Sequence, residues 1–340
     1  MAKRSAKRQA QSSSAILDIA YRFRQSRILL TAFELGLFTE LGSQTKPASE
    51  VAKALGTNER ATDRLMDALC AMELLKKKND KFSNTPATAR FLVKGKPDYL
   101  AGLMHTAHLW NSWSTLSDAV RAGTSVVTRA APRNDGMGWV EAFIAAMHMR
   151  AYKTAPDVVR LIDLKDVRRM LDLGGGSGAY SMAFVRAARD LRSVIFDLPT
   201  VTPLTRKYVE TERLGERIQT VDGDYTVDSF GHGYDLVFLS AIIHSNSVEI
   251  NKMLVRKAFN ALNPNGQIVI QDHLMIEDRT APLAGALFSL NMLVGTKEGD
   301  TFTESQIRSW LTDAGFGKIQ RKKNSFGPGL LIARKLAVRA

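Results

Sequence analysis

The stretch Arg169-Met-Leu-Asp-Leu-Gly-Gly-Gly-Ser-Gly178 decides the fold of this chain. Its first residues predict a short buried strand, Met170–Leu173, and its second half predicts a tight glycine-rich turn. A helical pattern follows over Ala179–Arg189. Because glycine lacks a Cβ atom, such a turn lets a ligand lie against the backbone, and the helix that follows offers free N–H groups. The stretch therefore predicts a ligand-binding turn in an α/β domain.

The glycine spacing alone leaves two ligands open. Gly174, Gly176 and Ala179 satisfy the G-x-G-x-x-G/A fingerprint of dinucleotide-binding proteins, which would make the chain a nicotinamide oxidoreductase. Asp172 favours another ligand, because a carboxylate just before the glycines suits a positive amino group and repels a phosphate. This residue therefore points to S-adenosylmethionine.

Of two further acidic positions, the first suits either ligand and the second favours S-adenosylmethionine. Asp197 ends the predicted strand Ser193–Asp197, roughly the ~20 residues further on at which a carboxylate holds ribose hydroxyls. The segment Asp222-Gly-Asp224-Tyr225 follows another apolar stretch. It puts a second carboxylate where the adenine amino group would lie in a methyltransferase.

The order of these motifs resembles that of the class I S-adenosylmethionine-dependent O-methyltransferases, of the plant caffeate type and its bacterial relatives acting on carotenoids and polyketides. The resemblance covers about Ile16 to Arg334. It rests on Asp172-x-Gly174-x-Gly176-x-Gly178, Phe196-Asp-Leu-Pro199, Gly223-Asp224, Ile243-His244 and Leu262-Asn-Pro-Asn-Gly266. It implies an α/β Rossmann-like methyltransferase domain preceded by an N-terminal, mainly helical winged-helix dimerisation domain. We therefore expect a homodimer whose first domain helps to close the partner's substrate pocket.

The chain is expected to have four regions. They are a disordered basic tail at 1–14, a winged-helix dimerisation domain at 15–98, a helical linker lining the substrate pocket at 99–165 and the S-adenosylmethionine-binding domain at 166–340. In the last region strand and helix patterns alternate, which predicts a parallel twisted sheet with crossover helices. The predicted strands are Met170–Leu173, Ser193–Asp197, Ile218–Val221, Leu236–Leu239, Gln267–Gln271 and Leu330–Ala333.

A winged helix also occurs in DNA-binding proteins, so a regulator that binds S-adenosylmethionine without methyltransferase activity is an alternative. The helix that would read DNA, Glu59–Met72, carries three acidic residues and only two arginines. Phosphates repel such a helix, so we expect dimerisation and no nucleic-acid partner. The net charge of +13, to which the N-terminal tail contributes four basic residues, is interpreted as solvated surface.

A histidine after a predicted strand is the candidate general base. His244 follows Asp235–Leu239, and histidine suits removal of a proton from a phenol near neutral pH. The resemblance implies that Asp272 orients it. The family's His-Asp-Trp motif is here His244-Ser-Asn, and Thr301 stands at the place of a second orienting glutamate, next to Asp300.

The resemblance also implies the binding residues. The donor, S-adenosyl-L-methionine, becomes S-adenosyl-L-homocysteine, and the acceptor is a hydroxylated aromatic, polyketide-like or other secondary-metabolite small molecule. The expected donor contacts are Asp172, Gly174, Gly176 and Gly178 at the methionine portion, Asp197 and Leu198 at ribose and adenine, and Asp224 and Tyr225 beside adenine. Ser240 falls where the plant enzymes have a lysine. The acceptor pocket is expected to include Met147, Phe288, Asn291 and Met292.

Composition excludes several other classes of protein. A single cysteine, Cys70, excludes a disulfide framework, and the scattered histidines give no metal signature, so no metal is expected. No apolar run approaches the ~18 residues needed to span a membrane. The basic start has no hydrophobic segment after it, so we expect no secretory signal and a cytoplasmic protein.

Overall fold

The computed structural model of the chain describes residues 12–127, 138–322 and 327–336. The chain divides into two compact units, Met1–His108 and Leu109–Ala340. Their boundary falls within the segment expected to be a helical linker. In the described residues, no helix is both long enough and apolar enough to cross a membrane.

The predicted disordered tail at 1–14 lies, as far as residue 11, outside the described residues. The prediction is wrong for the end of this tail, because the first helix begins at Ser13. The Ser12 hydroxyl accepts the Ala15 N–H at 3.2 Å, and such a cap satisfies one of the free amides of a first helical turn.

The first unit consists of helices and a small antiparallel sheet of strand order β1-β3-β2. Its elements are α1 (Ser13–Tyr21), α2 (Phe23–Glu34), α3 (Leu37–Leu41), β1 (Lys46–Pro47), α4 (Ala48–Leu55), α5 (Glu59–Ala71), β2 (Leu75–Lys78), β3 (Lys81–Asn84), α6 (Pro86–Phe91) and the start of α7 (Leu103–Trp113). Asn58 caps α5 by accepting the Ala61 N–H at 3.1 Å. Asn79 and Asp80 turn the hairpin with φ of 49° and 58°, as a two-residue type I′ turn requires. Two helices followed by a hairpin, α4, α5 and β2–β3, are the pattern of a winged helix, as predicted for this domain.

The second unit is an α/β fold. Its elements after α7 are α8 (Leu116–Ala122), α9 (Trp139–Val159), β4 (Arg169–Leu173), α10 (Ala179–Ala187), β5 (Arg192–Asp197), α11 (Thr202–Thr211), β6 (Ile218–Asp222), β7 (Tyr234–Ser240), α12 (Val248–Ala261), β8 (Leu262–Asp272), β9 (Leu274–Met275), α13 (Leu283–Gly295), β10 (Phe302–Thr303), α14 (Glu304–Asp313), β11 (Phe316–Lys322) and β12 (Gly329–Lys335). A short 3-10 helix, Ile243–Ser245, lies between β7 and α12.

Among the described residues, the sheet of the second unit has seven strands in the order β11-β12-β8-β7-β4-β5-β6. From β8 to β6 neighbouring strands are parallel, as predicted. The prediction is wrong for β12, which is antiparallel to both β8 and β11. β12 follows β11 closely in the chain, and only antiparallel strands can be joined by a short connection.

The two faces of this sheet are both buried. Leu171 of β4 packs with residues of α12 and α14, such as Leu254 and Ile307. Met170, the preceding residue, packs on the other face with residues of α9, α10 and α11. Because the five parallel strands all point the same way, β4, β5, β6, β7 and β8 end at one edge, where an α/β fold binds its ligand.

Candidate active site

The glycine-rich loop between β4 and α10 adopts a backbone that only glycine takes up readily. Gly174, Gly176 and Gly178 have φ of 63°, 56° and 77°, in the left-handed region. A Cβ atom on Gly178 would lie 2.9 Å from the side chain of Ile195, and one on Gly174 would overlap Ile242. The alternating glycines are therefore required by local conformation and by close packing against β5 and the segment after β7.

Asp197, at the end of β5, holds this loop from one side. Its Oδ2 accepts the Gly176 N–H at 2.8 Å, and its Oδ1 accepts the Leu198 N–H at 2.8 Å. Burial raises the pKa of this carboxyl, while the two backbone N–H groups act in the opposite direction. A carboxylate offers about four lone-pair sites, so two remain for the hydroxyls of a ribose. Leu198 is 45% exposed beside it, which leaves an apolar surface for a purine.

Asp172 lies beneath the loop rather than on its open side. The residue is 1% exposed, and its Oδ2 accepts the hydroxyl of Ser181 at 2.6 Å. Burial raises its pKa to about 7; the Ser181 bonds lower it and the charge of Asp197 raises it further. A Cβ atom on Gly175 would lie 2.8 Å from this carboxyl group. Asp172 therefore supports the glycine-rich loop from the buried side. Its direct contact with the methyl donor stays a prediction.

Asp224 and Tyr225 follow β6, the neighbour of β5 in the sheet. Asp224 Oδ1 accepts the N–H and the hydroxyl of Thr226 at 2.8 and 2.6 Å, and these bonds lower its pKa. The Tyr225 hydroxyl donates to Asn246 Oδ1 at 3.2 Å. Asp224 therefore brings a second, ionised carboxylate to the edge of the sheet that carries Asp197.

Ser240 ends β7, and its hydroxyl donates to Gln271 of β8 at 3.3 Å. Ser240 therefore carries no charge, unlike the lysine expected at its place from the plant enzymes, and its hydroxyl is already bonded to a neighbouring strand.

His244 and Asp272 meet at the ends of adjacent strands. His244 belongs to the 3-10 helix after β7, and Asp272 ends β8, which pairs with β7 in parallel. Nδ1 of His244 lies 2.8 Å from Oδ1 and 3.0 Å from Oδ2 of Asp272. Their side chains are 11% and 2% exposed. An ionised carboxylate only accepts hydrogen bonds, so this contact puts the proton on Nδ1 and leaves Nε2 as the basic nitrogen.

The loop before β10 contacts the backbone of His244, not its ring. The Asp300 N–H donates to the carbonyl of His244 at 2.9 Å, while the Asp300 carboxylate pairs with Arg279 at 2.6 Å. The Thr301 hydroxyl is buried and has no hydrogen-bond partner among the described residues. Neither residue supplies a second carboxylate to the imidazole.

The four residues expected at the acceptor differ in their surroundings. Phe288 meets the His244 ring edge-on, with ring centroids 4.8 Å apart, and stacks on His273 at 4.4 Å. Asn291 Oδ1 accepts the indole N–H of Trp113 at 2.9 Å. Met292 is buried at 7% exposure, and Met147 is half-buried on α9.

Sequence reasoning assigned no individual contact to several residues in this region, although Trp113 and His148 belong to the segment at 99–165 that was expected to line the substrate pocket. Thr205 of α11 donates its hydroxyl to the carbonyl of Gly176 at 2.5 Å, and Ser177 contacts His148 of α9. His273 and Trp113 contact predicted acceptor residues. A hydroxyl or an aromatic residue on a helix gives no signal that marks such a contact. In the described parts of the chain, no group of three histidine, cysteine or acidic residues is arranged to hold a metal ion.

Comparisons with known proteins agree with this fold. The family model described as the O-methyltransferase domain matches residues 113–317, and that of the O-methyltransferase dimerisation domain matches residues 17–94. A 3-hydroxy-5-methyl-1-naphthoate 3-O-methyltransferase of Streptomyces sahachiroi is 31% identical over 312 residues, 90% of each chain. The tetracenomycin polyketide synthesis 8-O-methyltransferase TcmO of Streptomyces glaucescens is 29% identical over 326 residues, 94% of this chain and 96% of that protein.

A solved structure of PigF with SAH superposes with a TM-score of 0.87 at 26% identity, covering 95% of this chain and 100% of the other. The fold, the glycine-rich loop and these matches over most of the chain agree. The chain belongs to the S-adenosylmethionine-dependent O-methyltransferase family and consists of an N-terminal dimerisation domain and a Rossmann-like methyltransferase domain.

Proposed function

We propose that this enzyme methylates a hydroxyl group of an aromatic, polyketide-like small molecule, with His244 as the general base. The observation that carries the proposal is the contact of 2.8 Å between His244 Nδ1 and Asp272 Oδ1 at the carboxyl edge of the sheet. This edge also carries the glycine loop and Asp197, which suit the donor. A base beside the donor is what proton removal during methyl transfer requires.

The residues of the donor site fit S-adenosylmethionine, whose sulfonium supplies an electrophilic methyl group and a good leaving group. Asp197 offers acceptor sites to ribose hydroxyls, and the left-handed glycines leave the backbone of the loop open. The chain's task is then to hold the acceptor oxygen in line and to take its proton.

His244 is suited to that proton transfer. A phenol with a pKa near ~10 is almost fully protonated at neutral pH, so removal of its proton raises the reactive fraction. As the oxygen–carbon bond forms and the sulfur–carbon bond breaks, the phenolic proton passes to Nε2 of His244. Asp272 then stabilises the imidazolium through Nδ1–H.

The aromatic acceptor is supported by the surroundings of the base. Phe288 and His273 present a pair of stacked rings, and Phe288 also meets the edge of His244. Flat apolar surface next to a base suits a fused phenolic ring. The names of two relatives, a hydroxynaphthoate methyltransferase and a polyketide methyltransferase, support the same class of acceptor.

We also propose that the protein works as a homodimer. The dimerisation domain supports this assembly, and the first helices expose apolar residues that a second copy would cover. These residues are Ile16, Leu17, Ile19, Tyr21 and Phe23, all 48% exposed or more.

The experiment that tests the proposed function measures methyl transfer from radiolabelled S-adenosylmethionine to a panel of hydroxylated aromatics. The panel contains hydroxynaphthoates, fused-ring polyketide phenols, simple phenols and matched ring compounds whose hydroxyls are blocked. We expect label only in compounds with a free phenolic hydroxyl, with fused rings preferred. Methylation of nitrogen or carbon in the blocked compounds, with none on phenolic oxygen, would contradict the proposal.

A further inference from the structure

His148 contacts the glycine loop, and none of the assignments above uses it. Its Nδ1, on α9, lies 2.9 Å from the hydroxyl oxygen of Ser177. Ser177 is 3% exposed and stands between Gly176 and Gly178, two of the three glycines whose left-handed backbone shapes the loop. One side-chain hydrogen bond thus joins α9 to the middle of the donor loop.

Two tyrosines fix the plane of the His148 ring. Tyr208 of α11 stacks on it with centroids 4.3 Å apart and an interplanar angle of 24°. Tyr152, one turn further along α9, lies 5.0 Å away at 36°. Rotation of the ring out of this plane would disturb both contacts.

The surroundings of His148 favour its neutral form. Burial lowers its pKa, and Glu212, the charged group that opposes this effect, is itself paired with Arg186 and accepts the Tyr152 hydroxyl. A neutral imidazole can accept the Ser177 O–H at Nδ1, whereas in an imidazolium both ring nitrogens are donors. Protonation would therefore force the Ser177 hydroxyl to turn its hydrogen elsewhere.

The same protonation would add a positive charge beside the loop. Gly176 in the same loop donates its N–H to Asp197 and accepts the Thr205 hydroxyl at its carbonyl. A change at Ser177 therefore acts on a loop that other hydrogen bonds already hold in place. The donor carries a sulfonium, an ammonium and a carboxylate, so its net charge is positive and an imidazolium next to its loop is unfavourable.

We propose that His148 is a positioning residue for the methyl donor. Neutral His148 accepts the Ser177 hydroxyl and holds the loop at 174–178 in its donor-binding conformation, and protonation of His148 weakens donor binding. This inference rests on the family's use of S-adenosylmethionine. It is independent of the acceptor and of the role proposed for His244, because its test measures binding in the absence of any acceptor.

Three single variants of the full-length protein separate the hydrogen bond from the packing. His148→Asn keeps an acceptor near the Nδ1 position without a titratable ring, His148→Phe keeps the aromatic packing without an acceptor, and Ser177→Ala removes the hydroxyl. S-adenosylmethionine affinity is measured by calorimetry at pH 8. We expect roughly 2- to 10-fold weaker binding for the phenylalanine and alanine variants, as loss of one hydrogen bond implies, and near-normal binding for His148→Asn.

The double variant His148→Phe, Ser177→Ala tests whether the two residues act through one contact. If they do, the double variant binds the donor no more weakly than either single variant, since the second change removes nothing further. Fully additive losses would show that the contact between His148 and Ser177 does not carry the effect.

The pH dependence of binding tests the protonation step. Because burial lowers the pKa of His148 from the ordinary histidine value of about 6.5, the donor affinity of the wild-type protein should fall only below that pH, and His148→Asn should lack that part of the fall. Asp172, with a pKa of about 7, and Glu212 are present in both proteins. The ratio of the two affinities therefore isolates His148.

Two results would overturn the proposal. The first is wild-type affinity in His148→Phe at pH 8, accompanied by a lower melting temperature, which would mean that His148 only packs against its neighbours. The second is a His148→Asn variant that keeps the whole pH dependence of the wild-type protein.

Discussion

Asp197 binds the backbone N–H of Gly176 at 2.8 Å, and this contact joins the end of β5 to the loop that follows β4. The same carboxylate accepts the N–H of Leu198. The residue expected to hold the ribose therefore also fixes the loop expected to hold the methionine portion of the donor, so changes at one affect the other.

Replacement of Asp197 by alanine should weaken donor binding. The change removes the ribose acceptor and leaves the Gly176 N–H without its partner, which corresponds to about 1–3 kcal/mol, or roughly 5- to 150-fold in Kd. Calorimetric titration with S-adenosylmethionine measures the effect. Asp197→Asn, which keeps one acceptor oxygen, should lose less. A folded Asp197→Ala protein with unchanged Kd would show that the end of β5 does not bind the ribose.

Replacement of His244 by alanine should lower kcat while leaving the Kd of the donor nearly unchanged. Loss of a general base typically costs ~10²–10⁴-fold, and activity should recover partly at high pH because the phenol then ionises without help. Asp272→Asn should cost less, since it disturbs the tautomer and orientation of a ring that is still present.

A matched control for His244 is Phe288→Leu, which removes the ring that meets its edge but keeps the base. That variant should raise the KM of the acceptor more than it lowers kcat. If His244→Ala methylates the true acceptor at the wild-type rate at pH 7, the enzyme uses positioning alone and the assignment of the base is wrong.

The parts of the site that could be predicted from sequence are those encoded locally. The left-handed glycines at 174, 176 and 178 and the acidic residues at strand ends follow from short motifs, because parallel strands bring their carboxyl ends to one edge. His244 and Asp272 could also be predicted, because His244 follows the apolar strand β7 and Asp272 ends the apolar strand β8.

The rest could not be predicted because it depends on contacts between distant residues or on strands without an apolar pattern. The bond between Trp113 and Asn291 joins residues 178 positions apart. β11 was missed because most of its residues are exposed or half-buried and several are charged, so no alternation of apolar residues marks it. Without β11, no signal in the sequence indicates that β12 runs antiparallel to β8.

The N-terminal helices should form a dimer interface in solution. Burial of the exposed apolar face of α1 and of other surfaces of the dimerisation domain should give an obligate-type interface above ~2,000 Å². Light scattering at micromolar concentration should report twice the chain mass of 37.5 kDa. Replacing Ile16 and Ile19 with aspartate should shift the protein towards monomer, whereas aspartate at the exposed Val227 of the second unit should not. A wild-type protein that stays a monomer would refute the prediction.

Asp172 should make the stability of the free enzyme depend on pH. Its pKa rises from 3.8 to about 7 on folding, so between these values the folded state binds more protons than the unfolded state and the free energy of unfolding falls as pH rises. The effect is at most about 4 kcal/mol at about 1.4 kcal/mol per pKa unit. Asp172→Asn keeps an acceptor for Ser181 and does not titrate, so it lacks this loss.

Urea unfolding of the donor-free wild-type and Asp172→Asn proteins at pH 5 and pH 8 measures this difference. The variant should become more stable relative to the wild-type protein at the higher pH, because only the wild-type protein must then hold a buried carboxylate in its charged form. Ser181→Ala should make the pH dependence steeper, since it removes the hydrogen bond that lowers the pKa of Asp172. A constant difference between wild type and Asp172→Asn at both pH values would mean that this carboxyl titrates in the folded protein as it does in the unfolded chain.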